Sequence, residues 1–445
     1  EVRRMAYIKA PNMSVWEYDS NGHKTGEYFT PIETYQGSGT EFFNPVAVAE
    51  LGKNDIKGNQ IQNNFKINYT LSDMLRFRET VAFTYENEKE NIFLPSAAIG
   101  ADWLNGENNS AEEINSRSTR ILSRSQMFVT PFTNSNRHSM TGVAMWEMEQ
   151  TKNKSTAASS GNGPTMTIQD PAVNAPVQEI YSGSRHHRLF GAFASVNYIY
   201  NDRYIINANL RADGSSSFGR DNQWGLFPSI SGGWKFSEEN FLQSLQFLNQ
   251  SKIRVSWGQS GKGIGDPYAS YSYYETGGQY RKSTSIIPAQ MELSNLKWQT
   301  VTSWNAGLDL NMFDNRFYAE VNLYRSVTED LLWEEYDIPS SSGFDMLGFY
   351  NGGKLENKGW ELFMSGSLID QQDLRLSLNY NISQNINSFL SFPENFNKQV
   401  GVSIGNYEFP RKASVGKPIG SFYGFKYSGV YPSDEDAVAR ANNGE

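Results

Sequence analysis

Cysteine is absent from the 445 residues. That removes disulfides, thiolate metal sites and cysteine nucleophiles together, while leaving the compartment open. Long apolar runs are missing too, and nothing approaches the roughly 18 consecutive apolar residues of a spanning helix. A bilayer is not thereby excluded, since a spanning strand needs only about 9–11 residues, half of them facing water. Basic surplus is also lacking. The formal charge is -9, and no run of Lys and Arg suited to tracking phosphates occurs, which argues against nucleic acid as a partner. The opening "EVRRMAYIKAPNM" shows no leader pattern, and the final "DEDAVARANNGE" reads as a polar loop. The chain is therefore expected to be an internal piece of a longer protein.

Aromatic residues, by contrast, are abundant: 24 Tyr, 27 Phe and 10 Trp. Their arrangement follows a period of two. In "RYIINANLRADGSSSFGRDNQWGLFPSISGGWKFSEENF" (203–241), Tyr204, Ile206, Ala208 and Leu210 share one face, and Asn207, Asn209 and Arg211 the other. After a polar wedge, Trp224, Leu226, Ile230, Trp234 and Phe236 share a face again. Each segment predicts a strand with one apolar and one wet side. The pattern recurs at Phe65–Leu71, Leu75–Tyr85, Met140–Met148, Phe190–Tyr200, Trp304–Met312, Phe317–Leu323, Trp360–Leu368 and Leu374–Ile382. About twelve strands are expected, with two more near the termini.

The connections alternate in length. Short polar turns are expected at Ser72-Asp73, 133–136, 201–203, 314–316 and 370–373, and long segments at 89–118, 152–185, 259–299, 332–357 and beyond 386. The brief 213–223 join falls on the long side and the 237–251 join on the short side. A soluble sandwich has no reason to gather its long connections at one end, whereas an outer-membrane barrel has short turns inside and long loops outside. In hydrocarbon every backbone group must be bonded within the protein, which leaves helices and closed sheets. Tyr198, Tyr200, Tyr204, Trp234, Phe236, Phe313 and Phe317 lie beside the short turns, where amphipathic rings mark a membrane boundary. The alternative is that these rings fill a sandwich core. Two residues resist the pattern. Glu79 interrupts an apolar face, at a cost of up to about 2–4 kcal/mol near a bilayer midplane by analogy with cations, so a bulge or rim position is expected. Pro228 inside a strand points the same way.

From about residue 186 onward the chain resembles the SusC/RagA family of TonB-dependent outer-membrane transporters. The resemblance rests on an ordered series: "NDRYIINANLRADGSSSFG", "WGLFPSISGGWKFSEENF", "KIRVSWGQSG", "LKWQTVTSWNAGLDL", "YRSVTEDLLW", "IPSSSGF", "NGGKLENKGWEL" and "GKPIGSFYGFKYSGVY". No one segment is specific alone. The resemblance implies an all-β fold, part of a 22-stranded antiparallel transmembrane β-barrel whose lumen holds a plug. It also implies a SusD-like surface lipoprotein as lid, energy through TonB, an oligosaccharide or peptide as cargo, and a Bacteroidota-like lineage. On this reading residues 1–445 are a partial barrel domain. Residues 1–58 form a strand and extracellular-loop region, 59–386 the main run of strands, and 387–445 a further loop and strand region. Plug and TonB box are not found in the chain.

Catalytic motifs are scarce, and no cofactor is expected. His186 and His187 are adjacent on a strand, point to opposite faces and are poorly placed to chelate together. The segment "YDSNGHKTGEY" (18–28) has a calcium-loop flavour in Asp19 and Asn21 but lacks the later acidic ligands, and Asn21-Gly22 reads better as a hairpin turn. "GQSGKGIG" (258–265) misses the phosphate-loop order because Gly263 follows Lys262. The segment singled out for binding is "DPYASYSYYETGGQY" (266–280), where Tyr268, Tyr271, Tyr273, Tyr274 and Tyr280 crowd one outer loop. Flat rings with a polar tip suit sugars, peptide side chains or a protein lid. The alternative is that Tyr271 and Tyr273 extend a strand and pack on neighbouring loops. Arg211, Asp309, Arg375, Asn379 and Asn381 are expected to face the lumen. The leading functional expectation is a nutrient importer. A secreted all-β adhesin or carbohydrate-binding protein and a passive porin are the alternatives.

Overall fold

The computed structural model describes residues 2–9, 13–29, 44–99, 108–132, 135–172, 177–242, 244–245, 247–281, 283–344, 346–393, 399–404, 407–412 and 414–422. Helix α1 (Val2–Ile8), strands β1 (Trp16–Tyr18) and β2 (Lys24–Tyr28), and helix α2 (Pro45–Leu51) come first. Asn44 caps α2 by accepting from the Val46 and Ala47 N–H groups, with Pro45 at the first helical position, where a missing N–H is harmless.

The wall follows as β3 (Lys53–Ser72), β4 (Leu75–Leu94), β5 (Ser110–Val129), β6 (His138–Ser160), β7 (Val177–Tyr200), β8 (Tyr204–Ser215), β9 (Trp224–Trp234), β10 (Lys252–Lys262), β13 (Gln299–Met312), β14 (Phe317–Glu329), β17 (Lys354–Asp370) and β18 (Arg375–Ser391). These form one antiparallel sheet in chain order. Helix α3 (Ser96–Ile99) sits between β4 and β5. Hairpins β11 (Tyr273–Tyr280)–β12 (Ser283–Gln290) and β15 (Leu332–Asp337)–β16 (Met346–Asn351) stand in two long connections, and β19 (Gln399–Ile404) pairs with β20 (Tyr407–Lys412) beyond the wall. Brief joins such as 73–74, 201–203 and 313–316 fall at one end of the sheet, and the long ones at the other.

Long connections 89–118 and 152–185 are shorter than the sequence suggests. Strand β4 continues to Leu94, β5 begins at Ser110, β6 runs to Ser160 and β7 starts at Val177. Likewise 259–299 and 332–357 hold hairpins rather than irregular chain.

Register keeps the two faces apart across the whole sheet. One unbroken row of directly opposed residues runs Met140, Tyr198, Ile206, Gly232, Val255, Ala306, Leu323 and Trp360. Nothing covers this apolar face among the described residues. Phe65, Ile67 and Tyr69 remain 66, 64 and 61% exposed. The few buried apolar side chains that cluster, Phe218, Ile264, Ala269 and Leu296, sit in the long connections. A sandwich would bury its apolar face under a second sheet, yet the other sheets among the described residues have only two strands each. The face is built for oil.

Glu79 is not bulged. It pairs in regular register with Ile67 and Ser125. Its carboxylate accepts from Ser123 Oγ at 3.0 Å and from Ser125 Oγ, so strand β5 supplies the donors that hydrocarbon lacks. Pro228 is not bulged either. It pairs with Leu210 of β8, and the ladder from β9 to β10 stops at Ser229, one residue short, where the missing N–H breaks no bond. At the short-turn end Glu239 gathers Tyr204 (2.6 Å), the Trp234 indole N–H (3.1 Å) and Arg203 (3.3 Å). That ties the interfacial rings to a charged rim, as amphipathic residues at a membrane boundary require.

Candidate functional site

The face opposite the apolar one is polar, and its charges are paired across strands. Arg211 bonds Asp213 at 2.7 Å and Glu147 at 3.2 Å, and Glu147 also takes Arg124 at 2.8 Å. A second network centres on Arg254, which reaches Asp309 (3.2 Å), Glu320 (2.5 Å) and Asn322 (2.7 Å), while Lys252 holds Asp309 from the other side at 3.1 Å. Both lie over glycine. A Cβ at Gly191 would meet Arg211 Nη2 at 3.1 Å, and one at Gly307 would stand 2.7 Å from Arg254 Cζ. Absent side chains thus make room for guanidinium groups to lie flat on the sheet.

Of the residues expected on this face, Arg211 and Asp309 are the hubs just described. Asn379 accepts from Ser365 Oγ at 2.7 Å, Asn381 stands opposite Phe363, and Arg375 pairs with Asp370 at 3.2 Å beside a short turn. The five share a face but form no single cluster.

The tyrosine-rich segment folds partly into β11. Tyr268 and Tyr271 meet edge to face at 6.1 Å, and Gln290 Nε2 donates to the Ala269 and Tyr271 carbonyls at 2.9 and 2.8 Å, fixing the base of the hairpin. Tyr273 and Tyr274 stand on β11, 48 and 70% exposed. The Tyr280 side chain lies outside the described residues. Four tyrosines therefore present rings to solvent within one short segment.

Elsewhere the readings of the small motifs resolve locally. Gly22 takes φ 80°, and the Asp19 carboxylate accepts from the Asn21 and His23 N–H groups at 2.9 and 2.8 Å, so it serves the turn. His187 contacts Ser215 Oγ at 3.2 Å, and His138 contacts Tyr198 Oη at 2.7 Å. No group of three metal-ligating side chains occurs among the described residues.

Sequence reasoning missed a groove. Where β3–β7 continue past the apolar band, a cavity of about 630 Å³ opens over five strands on the polar face. Two ladder rows floor it: Gly58, Glu88, Ser116, Ser155 and Gly183, then Gln60, Glu86, Ser118, Asn153 and Arg185. Small residues keep the first row low. The second carries amides, carboxylates and a guanidinium, with Gln60 Nε2 donating to Glu86 at 2.6 Å. Tyr181 arches over Gly183 and offers a ring at the edge. Such a lining suits a ligand rich in hydroxyl or amide groups, which can exchange water for these donors and acceptors. One signal was present in the sequence: residues 110–129 contain neither Pro nor Gly, which is compatible with one uninterrupted strand.

The comparisons agree with this architecture. A family model described as "TonB dependent receptor-like, beta-barrel" matches residues 10–442. TonB-dependent receptor P39 of Formosa agariphila is 31% identical over 395 residues, covering 88% of this chain and 37% of that protein. TonB-dependent receptor SusC of Bacteroides thetaiotaomicron is 34% identical over 304 residues, covering 64% and 30%. The chain spans well under half the length of the curated relatives it matches. Among solved structures, the RagAB peptide transporter superposes with a TM-score of 0.77 at 19% identity, covering 93% of this chain and 44% of that one, a likeness of fold. The chain belongs to the TonB-dependent receptor-like β-barrel family and supplies a run of outer-membrane wall.

Proposed function

We propose that the whole protein imports nutrients across the outer membrane, driven through TonB, with a SusD-like lipoprotein closing over the long loops. Cargo of the oligosaccharide or peptide class is captured at the rim, held on the polar side of the wall, and released inward when force on a plug opens the lumen. The observation that carries this reading is continuity. The groove over β3–β7 and the ion-paired surface of Arg211 and Arg254 occupy the same face of one sheet, with the apolar side turned away. A peptide transporter, RagAB, shares the fold, and SusC is a 34% identical relative.

An energised importer and a passive porin differ in one measurement. Uptake of the cargo should stop when TonB is deleted, and continued uptake in that strain would favour the porin. Within the site, replacing Tyr271, Tyr273 and Tyr274 by Ala in the full-length protein should weaken cargo or lid binding about tenfold or more, the scale of one lost hot spot. Barrel assembly should stay intact. Unchanged uptake with unchanged lid affinity would remove these rings from the site.

A further inference from the structure

The opposite surface of the same extension carries a different chemistry. On the outward face of β7 the alternate residues Tyr200, Tyr198, Val196, Ala194, Ala192 and Phe190 are apolar. Ten residues of tilted strand rise about 25 Å along the membrane normal, the height of a barrel's apolar band. Beyond Phe190 the next outward residue is Arg188. In register with this part of β7, the outward residues of β6 after Met148 are Gln150, Lys152 and Lys154, and those of β5 after Ile121 are Thr119 and Arg117. Arg188, Lys152, Lys154 and Arg117 thus climb from about 5 to about 15 Å above the oil, taking about 5 Å per alternate residue.

None of the four forms an ion pair among the described residues, although several cations elsewhere on the wall do. Arg120, Arg124, Arg211, Arg254, Arg325 and Lys354 all meet carboxylates. Arg117 and Lys154 are moreover directly opposed on adjacent strands, an arrangement that repels unless an anion bridges it. The Arg117 guanidinium stands 5.8 Å over the Tyr85 ring, which orients it. His186, opposite Lys152, keeps Nε2 shielded and without a hydrogen-bond partner. The nearest acid on this face, Glu113, is taken by Lys89 at 2.7 Å, and that bond, with Asn115, holds its carboxyl below the usual carboxylate range. In a chain of net charge -9, four cations without an acid partner against the membrane stand out.

We infer that Arg117, Lys152, Lys154 and Arg188 form a binding site for the phosphorylated headgroups of outer-leaflet lipopolysaccharide. Guanidinium and ammonium groups match phosphate by charge and by donor geometry, and long stems let the heads follow the lipid surface. Continuity with the oil-facing band selects a lipid over a soluble anion, because whatever lies against the band also lies against its upper edge.

The test uses the full-length protein in detergent, with purified lipopolysaccharide, its dephosphorylated form and inorganic phosphate as probes. The wild type should bind the phosphorylated lipid at least tenfold more tightly than the dephosphorylated one. The variant R117Q/K152Q/K154Q/R188Q should lose that preference. The charge-keeping R117K/R188K protein should retain most of it and guards against misassembly of the neutral variant. A control, R325Q/K358Q, removes outward cations already paired with Glu356 and should change nothing. Equal binding of the two lipids by the wild type, or full preference in the neutral variant, would overturn the inference. Inorganic phosphate binding as well as the lipid would overturn the membrane source and leave a free-anion site. Lipid binding is read independently of uptake, so the result stands apart from the import proposal.

Discussion

Strands β3–β7 and strands β8–β14 cross the same membrane but end differently. The first five run 20 to 24 residues and rise as an ordered sheet well past the apolar band. The wall strands from β8 to β14 run 11 to 14 residues and stop near it. Their connections then fold on themselves around Phe218, Ile264, Ala269 and Leu296, with Leu293, Trp298, Leu332 and Phe349 packed against that cluster. Backbone groups above the membrane must be bonded in both cases. The first region bonds them in the ladder and shows no apolar core along its length, with Phe93, Ala98, Ile99 and Ala111 buried only at its far end. The second has left the ladder and requires one. Rims of one wall can therefore be rigid by two separate means, and the ladder leaves both faces free for ligands.

The largest expected effect probes that independence. Phe218 is 1% exposed, lies 4.5 Å from the Trp298 ring and has its carbonyl bonded by Ser270 Oγ at 3.1 Å. Phe218→Ala should destabilise the loop cluster by about 3–5 kcal/mol. Hydrogen exchange should then rise in 216–223 and 263–298 while the β3–β7 extension stays protected. Faster exchange in both would show that the two rims form one cooperative unit.

Next in size is a contrast between the ion networks of the two regions. Asp309 is 7% exposed and held by Arg254 and Lys252. Asp309→Asn should cost about 1–3 kcal/mol by leaving two cations underpaired. Glu147 is more accessible, with its side chain 19% exposed, and Glu147→Gln should cost about 0.5–1 kcal/mol after solvent screening. Thermal unfolding in detergent measures both, and a reversed order would sink the burial argument. The smallest effect on stability should come from Ser155→Trp. It fills the groove floor without touching the ladder, so the melting point should hold while cargo binding falls about tenfold. Unaltered cargo binding would take the groove out of the import route.

The apolar band was legible because each strand there has oil on one side and water on the other. Tyr204, Ile206, Ala208 and Leu210 against Asn207, Asn209 and Arg211 is the pattern of any sheet with one apolar and one wet side, and the uncovered apolar face decides for oil over a second sheet. Strand count and the alternation of short and long joins follow from that pattern. The extension was illegible for the same physical reason reversed. Gln60, Glu86, Ser118 and Asn153 line one face there, and Asn59, Asn87, Arg117 and Lys154 the other. Both faces are wet, so the period of two vanishes and the segments read as loops. The regular register of Glu79 was not legible because its donors, Ser123 and Ser125, are more than forty residues away.

Which side of the wall each residue takes was written in the chain, because successive side chains on an extended backbone must alternate, whatever lies beyond. Which residues stand beside one another was not. Arg211 meets Glu147 across 64 residues, Arg254 meets Asp309 across 55, and Arg117 faces Lys154 over a whole hairpin. Those neighbours are chosen by register, and a shift of one position would turn every side chain over. Only the assembled ladder sets it.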